Sequence, residues 1–311
     1  MRIQPYHASL CQVWNDFVAR SKNATFMLHR NYMEYHSDRF KDCSLLVYDD
    51  KDRLVALFPA NDEGEVVCSH RGLTYGGLLM DERMTLPLAL RVFETLVEEL
   101  RRRGFRKLIY KTIPTIYHTV PAEEDRYALF RLGAHLYRRD TLTVIDYRHR
   151  LKYQERRRRQ IKKAVRKGLS VRRSDDLEQF WQILTHNLLT RYKVKPVHTI
   201  EEIRLLQSRF PDNIQLFASY IGEKMLAGAV AYVSRNVCHI QYNAASEEGK
   251  QCGALDIVLD FMIQHFADKV RYFDFGISNE KEGRYLNIGL DEYKEGFGGR
   301  TVVHDFYELR L

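Results

Sequence analysis

Two hydrophobic periods alternate along this chain, and the order in which they follow one another occurs twice. In the first half, "CSLLVYDDKDRLVALFPA" holds two strand-like runs joined at a polar turn. "EVVCSHRGLTYGGLLM" follows. A helical repeat from about Leu86 to Arg103 then sets Ala89, Phe93, Leu96, Val97 and Leu100 on one face. "FRKLIYKTI" reads as the next strand. The second half repeats the order: "IQLFASYIGEKMLAGAVAYV" is a strand pair turning at Gly222-Glu223, and "NVCHIQYNAAS" is a third strand. A helix from about Ala254 to Ala267 carries Leu255, Val258, Leu259, Met262, Ile263 and Phe266 on one stripe, and "VRYFDFGIS" closes the unit. This pattern predicts an α/β fold with α+β-like mixed sheets in two similar domains, 1–147 and 148–311. Short turns join most strands, so each sheet should be mostly antiparallel, with one parallel crossover through its helix. The C-terminal "TVVHDFYELRL" alternates as a closing strand.

Composition fits two packed domains. The chain has 311 residues, 45% of them hydrophobic and 12% aromatic, which argues against disorder. Its opening has no continuous apolar run of the signal-peptide kind, and the longest near-apolar stretch, Met225–Val233, is far short of a membrane span. The five cysteines are scattered without a C-x-x-C pair, which points away from zinc and disulfide frameworks and toward a reduced, cytoplasmic protein. The net charge of +8 is local: residues 148–173 carry +12, which leaves the remainder at −4. Within that segment Ile161, Ala164 and Val165 fall at helical spacing and Gly168 is placed to end the helix. Such a helix is either a solvated surface face or a site for phosphates. With Tyr153 its only aromatic residue, it is not a stacking platform for single-stranded nucleic acid.

Several motifs are uninformative. Asp274-Phe275-Gly276 matches the kinase triplet, but no catalytic loop precedes it. The glycines of "EYKEGFGGR" fit no phosphate-loop pattern. "VHTIEEI" is a capping box opening a helix. Three stretches offer ligand contacts. "SHRGLTYGG" combines Tyr75 with glycines that let backbone approach a ligand. The exit of the "FRKLIYKTI" strand carries Lys111, Tyr117 and His118. "RYKVKPVHT" offers Tyr192 and His198 for an acceptor.

The chain resembles the Fem-type and BioF2-like acyltransferases of the GNAT superfamily. "RRRRQIKKAVRKGL", "IQLFASYIGEKMLAGAVAY", "YFDFGIS" and "EYKEGFGGR" carry the resemblance, the last two most specifically. It implies two tandem GNAT-like domains, with strand 301–311 returning to the first. It also implies transfer of an acyl or aminoacyl group to an amine, often on a cell-envelope precursor, without metal. The donor would be acyl-CoA or, alternatively, aminoacyl-tRNA gripped through Arg156–Arg159. Lys294 would lie near the acyl-transfer site, with Phe297 beside it.

GNAT enzymes hold the CoA pyrophosphate on a helix N-terminus through [QR]-x-x-G-x-[GA]. Here "KQCGAL" stands in that place and supplies Lys250, Gly253 and Ala254, with Leu255 at the last small position. Acyl transfer needs an unprotonated amine and a stabilised oxyanion. Asp274, helped by Ser278, is the candidate for the first, and Lys294 and Tyr242 for the second. Lys294 is expected in a Gly-rich turn, where its removal would hardly change stability. The competing reading is a non-catalytic anion- or nucleic-acid-binding protein with a GNAT fold.

Overall fold

The apolar hairpins and helices assemble into two units. Met1–Asp140, Lys281–Tyr285 and Val303–Leu311 form the first; Thr141–Glu280 and Leu286–Val302 form the second. The structure is a computed structural model that describes residues 1–311 apart from the side chain of Tyr192.

The first unit begins with β1 (Arg2–Pro5) and α1 (Cys11–Arg20), followed by the hairpin β2 (Leu45–Tyr48) and β3 (Leu54–Phe58). Short strands β4 (Asn61–Glu63), β5 (Val66–Cys68) and β6 (Leu79–Met80) lead into α2 (Leu86–Arg102) and β7 (Lys107–Lys111). Then come α3 (Glu124–Arg131) and the first part of β8 (His135–Asp146). One sheet has the order β1-β2-β3-β6. β5 and β7 run parallel from Val66↔Lys107 to Cys68↔Ile109, joined by the α2 crossover, and residues 306–310 add antiparallel to β7. The expected face of α2 is the buried one, extended by Val92.

The second unit continues with α4 (Glu155–Arg166), β9 (Ser170–Ser174), α5 (Leu177–Tyr192) and α6 (Ile200–Arg209). β10 (Ile214–Ile221), β11 (Lys224–Val233), β12 (Val237–Ala245), α7 (Glu247–Cys252) and α8 (Ala254–His265) follow. The unit closes with β13 (Tyr272–Ile277), α9 (Ile288–Glu295) and the start of β14 (Arg300–Arg310). Its strands lie in the order β9-β10-β11-β12-β13-β8. All neighbours there are antiparallel except β12 and β13, the pair joined through α8. A parallel strand pair joined through a helix is thus present in both units, but in the first the five strands β2–β6, rather than three, lead into that helix, and they divide between two sheets. α8 buries Val258, Leu259, Met262 and Ile263 on the sheet. Gly168 adopts φ +74° just past α4, and Thr199 and Glu202 form the capping box of α6. Among the described residues no helix is long and apolar enough to cross a membrane.

Candidate active site

Parallel pairing between β12 and β13 covers three positions only: Val237↔Tyr272, Cys238↔Phe273 and His239↔Asp274. Beyond them both strands leave regular register. β12 shifts against β11 between Ile240 and Tyr242, which makes Gln241 the extra residue of a bulge. β13 shifts against β8 between Asp274 and Ile277, and Gly276 takes φ +76° there. The strands part, and past His239↔Asp274 no further residue of β12 is paired with β13 among the described residues. Such a wedge can accept an extended ligand through main-chain hydrogen bonds.

Polar side chains sit at its vertex. Asp274 is 0% exposed and accepts hydrogen bonds from His239 Nδ1 at 2.8 Å and Gly276 N at 2.7 Å. Burial alone would raise its pKa, but the electrostatic pull and hydrogen bond of the His239 ring, the Gly276 N–H and the nearby Lys294 outweigh that and hold it below the usual carboxylate value. Lys294 is 5% exposed, and its Nζ donates to Gly276 O at 2.9 Å and Ile277 O at 2.6 Å. Burial lowers its pKa to about 8 against the pull of Asp274 and Asp291. Two of its three N–H groups are therefore spent on the end of β13, and one is left for a ligand.

These positions correct the expected Gly-rich turn. Lys294 belongs to the last turn of α9 and is buried. The glycines after it serve close backbone packing: a Cβ on Gly298 (φ +91°) would lie 2.7 Å from Leu151 O. Phe297 is a fully buried core residue, packed on Tyr153, Phe275 and Tyr293, and not a ligand contact.

A cavity of about 470 Å³ adjoins the ends of β12 and α9; Arg157, Asn187, Asn243, Lys250, Asp256 and Tyr293 are among its lining. Arg157 and Asp256 pair across it at 2.6 Å, and burial lifts Asp256 to about 6. Lys250 Nζ reaches Glu247 at 2.5 Å and Asn187 at 3.3 Å. Gly253 also lines the cavity, but its conformation answers to packing: it ends α7 at φ +77°, and a Cβ would sit 2.6 Å from Gln160 O. Ala254 is buried in the core beneath, which removes it as a donor contact. The α8 N-terminus, which "KQCGAL" opens, is poorly suited to pyrophosphate: Gly253 packs against the Gln160 carbonyl, and Asp256 places a carboxylate in the first turn. The short α7 before it is capped by Ser246 Oγ, which accepts from Gly249 N at 3.1 Å.

The basic helix also differs from expectation. Arg156 donates to Glu292 O at 2.5 Å, Arg157 is the partner of the buried Asp256, and Arg158 and Arg159 pair with Glu155. The cations of this helix without ion pairs among the described residues lie further along: Lys162, Lys163, Arg166 and Lys167, lining a 440 Å³ groove. Lys163 and Lys167 also share a 720 Å³ cavity with Lys250.

Of the remaining candidates, Tyr242 and His198 meet. His198 Nδ1 lies 2.6 Å from the Tyr242 hydroxyl, whose pKa burial raises to about 12. The Tyr242 ring packs edge-on to Trp181 at 5.3 Å. Ser278 is buried, and its Oγ makes no hydrogen bond to Asp274. The Tyr192 side chain lies outside the described residues.

The first-unit candidates form a closed structure of their own. Past Cys68 and Ile109 the strands β5 and β7 also part, but the loop 69–77 folds back over the gap. Lys111 Nζ donates to Leu73 O, and burial lowers its pKa to about 7. Tyr75 bonds Thr25 Oγ1 at 2.8 Å and packs on Tyr117 with ring centroids 4.7 Å apart. His118 Nε2 lies 3.0 Å from Ile113 O, and burial lowers its pKa to about 4. Lys111, Tyr75 and Tyr117 hold the loop down, and His118 braces its own segment through Ile113, structural roles the sequence did not separate from ligand binding. A Cβ on Gly76 would stand 1.7 Å from the Ser69 carbonyl oxygen. Gly76→Ala is therefore expected to cost on the order of 3 kcal/mol or more in urea unfolding, because backbone must move.

His239 was missed because a lone histidine in a strand reads as a satisfied core residue. The available signal was parity with Asp274, the one charged residue in the apolar run "YFDFGI" of the strand expected to lie beside it. Among the described residues no group of His, Cys, Asp and Glu is placed to hold a metal ion.

Comparison with known proteins gives this geometry a context. A family model described as acetyltransferase (GNAT) domain matches residues 147–295. No curated protein sequence matches the chain. A crystal structure of FemX superposes with TM-score 0.68 at 11% identity, covering 98% of this chain and 97% of that one. The C-terminal domain of a putative lysylphosphatidylglycerol synthetase from Agrobacterium fabrum gives 0.64 at 15% identity, covering 98% and 92%. A tandem GNAT protein from the clavulanic acid biosynthesis pathway gives 0.55 at 12% identity, covering 99% and 98%. At these identities the structures establish the fold, and the family match adds the class of chemistry. Residues 147–295 are thus a GNAT acetyltransferase-family domain, in a chain that is an acyltransferase with the fold shared by FemX and the tandem GNAT proteins.

Proposed function

We propose that this protein moves an acyl or aminoacyl group from an ester or thioester donor to an amine of a small-molecule or cell-envelope precursor, in the cytoplasm. The observation that carries the reading is the wedge between β12 and β13, with His239, Asp274 and Lys294 at its vertex. An acyl chain bonded to the free edges of the wedge would bring its carbonyl to the vertex. There the remaining Lys294 N–H can meet the developing oxyanion. Lys294 also holds the end of β13 and so fixes one wall of the wedge.

The donor favoured by the electrostatics is aminoacyl-tRNA. At the α8 N-terminus, where acyl-CoA would place its pyrophosphate, Gly253 packs against the Gln160 carbonyl and Asp256 adds a carboxylate in the first turn, whereas Lys162, Lys163, Arg166 and Lys167 offer a stripe without ion pairs among the described residues to a longer polyanion. FemX and the lysylphosphatidylglycerol synthetase domain share this fold. A second reading keeps acyl-CoA, with its phosphates on Lys163, Lys167 and Lys250 around the 720 Å³ cavity.

The deciding experiment incubates the protein with charged tRNAs or with a series of acyl-CoAs, each with amine-bearing nucleotide-sugars and lipid headgroups, and follows product by mass spectrometry. Transfer from tRNA alone supports the first reading, and transfer from acyl-CoA alone the second. No transfer from either class, by protein that both donors fail to stabilise thermally, removes the enzyme reading.

A further inference from the structure

Resting on the acyl-transfer reading above, we infer that His239 is the general base of the reaction and Asp274 the residue that positions it. Tyr232, His239, Asp274 and Val144 occupy one register across β11, β12, β13 and β8, so their side chains share one face of the sheet. His239↔Asp274 is the last paired position before the strands part. The histidine therefore stands at the vertex of the wedge. Its ring lies against Gly276, where a Cβ would come 3.2 Å from Cε1.

The two ring nitrogens have different surroundings. Nδ1 is 2.8 Å from the buried Asp274 carboxylate, whose other oxygen accepts from Gly276 N. An ionised Asp274 fixes the hydrogen on Nδ1 and leaves the lone pair on Nε2. Nε2 has no hydrogen-bond partner among the described residues, and the side chain keeps 12% exposure. The facing groups are Asp274 with Lys294 behind it and Tyr232 on β11; Asp291 lies beyond Lys294. A base pinned by a buried carboxylate, with its second nitrogen open at the reaction vertex, is the arrangement amine acylation needs.

The step balances within the site. The amine nitrogen attacks the acyl carbonyl, forming the C–N bond, and the bond from the carbonyl carbon to the donor oxygen or sulfur breaks. His239 Nε2 takes the proton lost by the amine, and Asp274 stabilises the imidazolium. The imidazolium then protonates the leaving alkoxide or thiolate, which restores neutral His239.

His239→Asn is the discriminating variant, because the Asn amide can still donate to Asp274 while Nε2 is gone. It is expected to lower kcat by roughly 100-fold or more at little change in KM, and to erase the fall of kcat on the acid side. Asp274→Asn should lower kcat less and move that acid limb. Diethylpyrocarbonate labelling, read by peptide mass spectrometry, provides an arm that needs no substrate. His239 should be carbethoxylated in the folded wild-type protein, and more slowly in Asp274→Asn.

Wild-type kcat and an unchanged acid limb in a folded His239→Asn protein would overturn the assignment. So would transfer of that limb to Lys294→Met, or a His239 inert to the reagent. If no donor turns over in the wild type, the acyl-transfer reading fails separately, and the labelling still decides whether Nε2 is an open base.

Discussion

Lys294→Met is expected to lower turnover by roughly 100-fold, as for removal of one oxyanion donor, and also to lower the midpoint of urea unfolding. The second effect reverses what the sequence suggests. Met keeps the length of the side chain but leaves the carbonyls of Gly276 and Ile277 without their donor. Each such orphan costs about 1–3 kcal/mol. Against that, the wild-type lysine carries a burial penalty, since its pKa falls from 10.5 to about 8. Its folded pKa lies below the unfolded one, so between pH 8 and 10.5 the unfolded chain binds more protons. Wild-type stability should therefore gain a contribution as pH rises through that window, up to ~3 kcal/mol. Lys294→Met should lack this contribution. Two orphaned carbonyls and an Asp274 deprived of its neighbouring cation outweigh the relieved penalty at pH 7, giving a net loss of about 1–3 kcal/mol. Urea titrations of both proteins at pH 7 and pH 10 check each part. Equal stability and near-normal turnover at pH 7 would show that Lys294 is neither a strand clamp nor an oxyanion donor.

The regular core was legible because periodicity reports burial. The stripes of α2 and α8 and the hairpin turning at Gly222 come from side chains whose only task is to leave water. Within the site, the sequence pointed to Asp274 and Lys294 through "YFDFGIS" and "EYKEGFGGR", yet misjudged the surroundings of the lysine. Glycine density in "EGFGGR" looks like a loop, but α9 runs through Glu295, and Gly298 is required by the Leu151 carbonyl.

Phe297 and Ala254 matched a motif and proved to be core residues, since a linear pattern does not say on which face a side chain falls. His239 stayed hidden for a complementary reason. Its meaning comes from the parallel register with a residue 35 positions away, and register is a property of the pair of strands. The Gly-rich 69–77 loop shows the same limit: identical residues can open a backbone to a ligand or let it fold onto its own strand, and here Gly76 against Ser69 is the second case.

Reversing the free stripe of α4, Lys162→Glu with Lys163→Glu, Arg166→Glu and Lys167→Glu, should reduce tRNA affinity by more than 100-fold at about 0.1 M salt. The slope of log affinity against log salt should fall by roughly 3, since each neutralised phosphate contributes about 0.7–0.9. These four cations make no ion pair among the described residues, so their field is available to a polyanion. Stability should change little, because they lie on the exposed face while Ala164 carries the buried one.

The neighbouring Arg156–Arg159 cluster predicts the opposite pattern. Arg157 is held by Asp256 and lies over the Tyr293 ring at 4.5 Å, so Arg157→Ala leaves a buried carboxylate without its cation. That variant should lose about 2–4 kcal/mol in urea unfolding. Its stability should recover partly below pH 6, because Asp256, with a pKa of about 6 even beside Arg157, then takes up a proton. Filter binding of a charged tRNA across a salt series, with unfolding curves for both variants, separates the two faces of one helix. An α4 reversal that leaves both affinity and salt slope unchanged would remove tRNA as the donor and return the choice to acyl-CoA held by Lys163, Lys167 and Lys250.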